Sequence, residues 1–160
     1  MPLAELPLEI TTGRGHVLRA AAEGDVDRLI ELYGQLHSSD FDDREGFAAE
    51  LAAITAHASR RVYVFEVDAA IVGTIDVFLM RNLTRNLRPW VGVENFVVDT
   101  AVRRQGFGRE ILEAVIATAR EVGAYKVQLI SSTKRIEAHG LYTSVGFTAP
   151  VSGFRTYLTD

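Results

Sequence analysis

The sequence predicts a single domain of mixed α/β class, and three observations carry that prediction. A chain of 160 residues with 48% apolar side chains is long enough for one well-filled core and too short for two of ordinary size. β-rich runs and segments of helical periodicity follow one another along its length in the order β-α-α-β-β-β-α-β-α-β. The stretch Val97 to Leu112 reads as a strand, a tight turn and a helix, with Gly106 and Gly108 at the turn.

The elements follow in order. Residues 1–15, with Pro2, Pro7, Gly13 and Gly15, are expected as an extension or loose strand, and the domain as residues 16–160. Val17–Ala20 is a short strand. Asp25 is placed to cap a helix in which Val26, Leu29, Ile30, Tyr33 and Leu36 recur at helical spacing. A polar joint, Ser38 to Asp43, separates it from a second helix carrying Phe47, Leu51 and Ile54 on one side. Val62–Val67 and Ile71–Leu79 flank Asp68-Ala69-Ala70 as an antiparallel hairpin, with Gly73 marking a bulge. The loop Arg81 to Pro89 leads to a strand from Trp90. A helix from Gly108 to about Val122, a strand Lys126–Ser131, a further helix and a terminal pairing near Phe154–Leu158 complete the chain.

The turn before the helix at Gly108 has the makings of an anion site. A helix starts with backbone N–H groups that have no intrahelical acceptor, and its dipole favours a phosphate by up to about 2 kcal/mol in a partly buried geometry. Arg103, Arg104 and Arg109 add full charges around it. The spacing excludes two nucleotide loops. No Lys-Ser or Lys-Thr follows the glycines, as an NTPase phosphate loop requires, and Ile111 stands where a dinucleotide GxGxxG turn needs its third glycine.

What remains is Arg103-x-x-Gly106-x-Gly108, preceded by the strand Glu94-Asn95-Phe96-Val97-Val98-Asp99. This resembles the pyrophosphate-binding motif [QR]-x-x-G-x-[GA] of the GNAT superfamily of acyl-coenzyme A-dependent N-acyltransferases. A second match lies downstream: Ala138-x-x-Leu141-Tyr142-x-x-x-Gly146-Phe147 is similar to the family's A-x-x-[FL]-Y-x-x-x-G-F helix, in the same order and spacing. The resemblance covers residues 16–158. It implies a mixed, mostly antiparallel sheet flanked by helices, whose central parallel strands splay apart to admit pantetheine. It also implies acetyl-coenzyme A as cosubstrate, held by Phe96, Val97, Val98, Arg103, Arg104, Gln105, Gly106, Phe107, Gly108, Arg109, Arg135 and Tyr142. Arg135 departs from the family, which commonly has Asn there. Ser131-x-x-x-Arg135-x-x-Ala138-His139-x-x-Tyr142 is similar to a subgroup that includes aminoalkylphosphonate acetyltransferases.

Acyl transfer to an amine must remove a proton from a group near pKa 10, which costs about 4 kcal/mol at pH 7. A carboxylate near the acceptor, direct or through a water, meets that need. The resemblance puts Glu94 or its neighbour Asn95 at that position. If the Asn95 position faces the acceptor, Glu94 is a polar residue on a strand face. In the family the tyrosine matched by Tyr142 lies beside the coenzyme sulfur, where its hydroxyl could donate to the departing thiolate. Asp40, Phe41, Asp42 and Asp43 lie in the joint that borders the acceptor pocket in that scheme, where they receive a cationic amine or form a solvated loop, and Trp90 and Tyr33 could line the pocket or fill the core.

Composition narrows the rest. Without cysteine there is no thiolate zinc site and no cysteine acyl-enzyme, so the acyl group goes directly to the acceptor or through another nucleophile. The four histidines show no metal-ligand spacing, and no metal is expected. A net charge of -4 with no basic stripe argues against nucleic acid as a partner, and no leader or membrane span is evident, giving a cytoplasmic expectation. The function expected is N-acetylation of a small-molecule amine in a ternary complex; a peptide acetyltransferase and a noncatalytic acyl-coenzyme A module are the alternatives. The resemblance also makes a homodimer an expectation.

Overall fold

A computed structural model of the protein describes residues 5–37 and 42–158. Its elements are β1 (Glu9–Thr11), β2 (Val17–Ala20), α1 (Val26–Leu36), α2 (Arg44–Thr55), β3 (Arg60–Val67), β4 (Ala70–Met80), β5 (Trp90–Val98), α3 (Phe107–Glu121), β6 (Val127–Leu129) and α4 (Ile136–Ser144). The six strands form one sheet in sequential order. All neighbours are antiparallel except β5 and β6, which run parallel.

Each face of the sheet buries a separate cluster. Val62 and Val64 of β3 meet Val26 and Leu29 of α1 and Leu51 of α2. On the other face Ile75, Val77, Val91 and Val93 meet Ile111, Leu112 and Val115 of α3. A fully buried aliphatic side chain contributes roughly 1.5–3 kcal/mol, so this double covering holds the middle strands firmly.

The hairpin between β3 and β4 turns on Asp68 (φ 50°) and Ala69 (φ 61°). Two left-handed residues in succession match a type I′ turn, whose twist suits the strands. The expected bulge falls beside Gly73: Phe65 pairs with Gly73 and Glu66 with Ile71, leaving Val72 over. A Cβ at Gly73 would lie 3.0 Å from the Val97 carbonyl oxygen, so the glycine lets β5 approach.

Of residues 1–15, the described 5–15 supply β1, the loose strand of the two alternatives, which pairs with β2, and Leu6 is buried with its N–H donating to the Ala58 carbonyl at 3.0 Å. Two expectations differ from the structure. Asp25 directly precedes α1 without capping it, because its carboxylate accepts from Arg19 at 2.7 and 2.9 Å and from the Ala22 N–H at 2.8 Å. Asp43 does cap α2, accepting from the Gly46 N–H at 2.7 Å. Finally, the terminal pairing near Phe154–Leu158 is not formed among the described residues. Phe154 and Leu158 are 96% and 93% exposed, so the alternation there has no sheet face to bury against.

Candidate active site

The parallel pair β5 and β6 is joined only from Val91↔Val127 to Val93↔Leu129, while β5 runs on to Val98. Beyond Leu129 the two strands part. A backbone bulge accompanies the parting: Thr74 pairs with Val97 and Asp76 with Glu94, so three steps of β5 oppose two of β4, with Asn95 at φ 49°. This is the splay expected of the sheet, and it opens a groove of about 1010 Å³. Phe96, Val97 and Val98 form one wall, the turn residues Arg103, Arg104, Gly106, Phe107, Gly108 and Arg109 its end, and Arg135, Ala138, Leu141 and Tyr142 of the α4 segment the other wall.

The turn is fixed from three sides. Asp99 accepts from the Ala101 N–H at 2.9 Å and is ion-paired with Arg28 of α1, and Gln35 accepts from the Thr100 N–H at 2.9 Å. Together with the Ala101 N–H bond, Arg28 holds the Asp99 carboxyl below its ordinary range. Arg103 Nε donates to the Val98 carbonyl at 3.2 Å. Arg104 (φ 64°) and Gly106 (φ 83°) are both left-handed, which reverses the chain into α3. The first helical bond runs from the Glu110 N–H to the Gly106 carbonyl, so the N–H groups of Phe107, Gly108 and Arg109 have no intrahelical acceptor. They are the donors a pyrophosphate needs.

Several residues do something the sequence did not show. Gly108 carries no side chain where Leu141 of α4 comes in: a Cβ there would meet Leu141 Cδ2 at 2.9 Å. The Phe107 ring is buried, edge-on to His16 and tilted against Phe65, so only its backbone belongs to the groove. Arg109 donates to the Ser144 carbonyl at 3.2 Å and pairs with Glu113 at 3.3 Å, tying α3 to α4. Gln105 is absent from the groove wall, and its carbonyl accepts from Arg14 at 3.1 Å on the far side of the turn. The β1–β2 turn thus braces the loop from behind. Sequence reasoning missed Thr12, Arg14, His16 and Glu110 of this brace, although Glu110 on the buried face of α3 was a visible signal.

Tyr142 is 8% exposed, its ring against Phe147 at 6.0 Å. Burial pushes its phenol above the ordinary value; the Arg135 charge and the Ser131 hydroxyl act the other way, and the negative charge of Glu94 adds to the rise. The phenol therefore stays protonated and serves as a hydrogen-bond donor. Glu94 is exposed, directly across from Asp76 of β4. Asp76 is occupied by Arg60 at 2.6 Å. Tyr33 lies against the α1 cluster near Thr74, and burial pushes its phenol up to about 12. Asp40 and Phe41 lie outside the described residues.

Residues 26–147 match the Acetyltransferase (GNAT) family, and the chain belongs to it. It is an N-acetyltransferase, and enzymes of this family use acetyl-CoA as cosubstrate. It is 30% identical over 137 residues to glucosamine 6-phosphate N-acetyltransferase of Trypanosoma brucei brucei, covering 82% of this chain and 88% of that one. It is also 30% identical over 134 residues to aminoalkylphosphonate N-acetyltransferase of Salmonella typhimurium, covering 81% and 83%. A solved structure of a protein from Agrobacterium tumefaciens str. C58 superposes with a TM-score of 0.82 at 34% identity, covering 88% of this chain and 98% of that one.

Proposed function

We propose that this enzyme transfers the acetyl group of acetyl-CoA to the primary amine of a small molecule by direct attack in a ternary complex. The observation that carries the reading is the buried Tyr142 phenol at the mouth of the splay, within electrostatic reach of the Glu94 carboxylate. The two groups suit opposite ends of one transfer. Glu94, directly or through a water, takes a proton from the acceptor ammonium, the amine nitrogen forms its bond to the acetyl carbon, the carbon–sulfur bond breaks, and the second nitrogen proton passes to the departing thiolate. Tyr142 donates a hydrogen bond to the departing thiolate. The free N–H groups of Phe107, Gly108 and Arg109 hold the pyrophosphate, with Arg103, Arg104 and Arg135 adding charge, and Phe96, Val97 and Val98 flank the pantetheine. With no cysteine in the chain, a thioester enzyme intermediate has no carrier.

The relatives named above act on amines that also carry a phosphate or phosphonate, which supports a small-molecule acceptor over a peptide. A thiol-release screen with acetyl-CoA against amino sugars, aminoalkylphosphonates, amino acids, polyamines and peptides tests the proposal. Turnover with a small amine is the expected result. Coenzyme binding without turnover on any amine overturns it.

A further inference from the structure

On the sheet face that carries α1 and α2, α2 packs on β3 and α1 on β4 and part of β5, while Trp90 is only half-buried and Glu94, Lys126 and Gln128 are exposed. Trp90, Gly92 and Glu94 alternate onto that face of β5, opposite Met80, Phe78 and Asp76 of β4. Gln128 stands beside Gly92 on β6, with Lys126 two residues before it. The Phe78 ring fills the space over Gly92, where a Cβ would meet it at 1.9 Å, and it meets Trp90 edge-on at 6.0 Å. Together they make an aromatic floor. At one end the Lys126 ammonium sits 4.9 Å from the Trp90 ring and 5.6 Å from Tyr125, donating to Gln128 Oε1 at 2.5 Å. No carboxylate among the described residues pairs with it. At the other end is Glu94, exposed, and Asp76 beside it is already neutralised by Arg60.

We infer that Lys126 and Trp90 form an anion subsite of the acceptor cleft, and that the acceptor is a phosphorylated amino sugar. The inference rests on the N-acetyltransferase reading of the splay. An oriented ammonium keeps two N–H donors after its bond to Gln128, enough for a phosphate, and the rings beside it offer a face for the apolar side of a sugar. Spacing selects the length of the acceptor. Trp90 and Glu94 are four residues apart on one strand, about 13 Å between their Cα atoms, so the anion site and the carboxylate stand well apart. A hexosamine phosphate carries its amine and its phosphate on separated carbons of one ring, whereas a phosphonate one or two carbons from its amine holds the two charges close together.

Trp90 is the single tryptophan of the chain, so its fluorescence reports this subsite without turnover. Titration of the full chain with glucosamine 6-phosphate should change Trp90 emission saturably, glucosamine should do so at concentrations at least tenfold higher, and Lys126→Met should abolish that preference while Lys126→Arg keeps it. In thiol-release kinetics the ratio of kcat/KM for the phosphorylated over the unphosphorylated sugar should fall at least tenfold in Lys126→Met. Equal affinity for the two sugars, an unchanged ratio in the variant, or a preference for aminoethylphosphonate overturns the subsite. Saturable Trp90 binding of the sugar phosphate with no turnover on any amine keeps the subsite and removes the catalytic reading.

Discussion

The carboxylate of Glu110, 4% exposed on α3, lies 3.2 Å from the guanidinium of Arg14 in the β1–β2 turn. The same carboxylate accepts from Thr12 and sits 2.9 Å from His16 Nδ1, while Arg14 also donates to the Gln105 carbonyl at 3.1 Å and lies over the Phe107 ring. A buried carboxylate therefore joins the first hairpin of the chain to the turn proposed to receive the coenzyme.

Removing that carboxylate leaves its partners without their acceptor, so Glu110→Ala should lower stability by about 2–4 kcal/mol in urea unfolding. Arg14 is 51% exposed, and its loss should cost under about 1 kcal/mol. Arg14→Met should instead raise KM for acetyl-CoA several-fold with kcat kept, because the Gln105 carbonyl loses its anchor. An unchanged KM would show that the turn holds its shape without the brace.

Gly108 has two duties, presenting an N–H to the groove and admitting Leu141. Gly108→Val should weaken acetyl-CoA binding at least tenfold by calorimetry and destabilise by about 1–3 kcal/mol through overpacking against Leu141. Adding Leu141→Ala should recover part of the stability and little of the affinity. If affinity returns with the packing, the glycine serves only the contact between α3 and α4.

The motifs around Gly106 and Tyr142 were legible because each fixes residue types at a spacing that backbone geometry demands. The β1 strand was not: three residues between Pro7 and Gly13 carry no periodicity, and their pairing is supplied by β2. The bulge beside the groove turns on Asn95 at positive φ, a conformation asparagine tolerates, yet one asparagine inside an apolar strand run does not announce it. The charge of Arg109 beside the groove was visible in sequence, whereas the Ser144 carbonyl to which it also donates is placed by the fold.

Acid should expose the role of Asp25. Hydrogen bonds from Arg19 hold its carboxyl below the ordinary value, so its contribution is fully present above the unfolded-state pKa of about 3.9 and is lost as pH falls toward the lower native value. Asp25→Asn should therefore cost about 1–3 kcal/mol at pH 7 and at pH 5, with the gap to wild type narrowing only below about pH 4. A gap that closes between pH 7 and 5 would assign the effect to another group.

Glu94→Gln should lower kcat/KM for the amine at least tenfold near neutral pH, and the deficit should shrink as pH approaches the amine's own value near 10, where free amine no longer needs a base. A wild-type rate and pH profile would move proton removal to bulk water or another group.

Tyr142 separates catalysis from binding, since its proposed hydrogen bond forms with the departing sulfur and strengthens in the transition state. Burial raises its phenol pKa, which makes full proton transfer to a thiolate near 8.5 more uphill and leaves donation without transfer as its contribution. Tyr142→Phe keeps the ring against Phe147 and should lower kcat by about 10²–10⁴, with coenzyme affinity within a few-fold and stability changed by less than about 1.5 kcal/mol. Single-turnover measurement decides the matter, because slow product release can hide the chemical step in steady state. An unchanged chemical rate in the Phe variant would reduce Tyr142 to packing between α4 and Phe147.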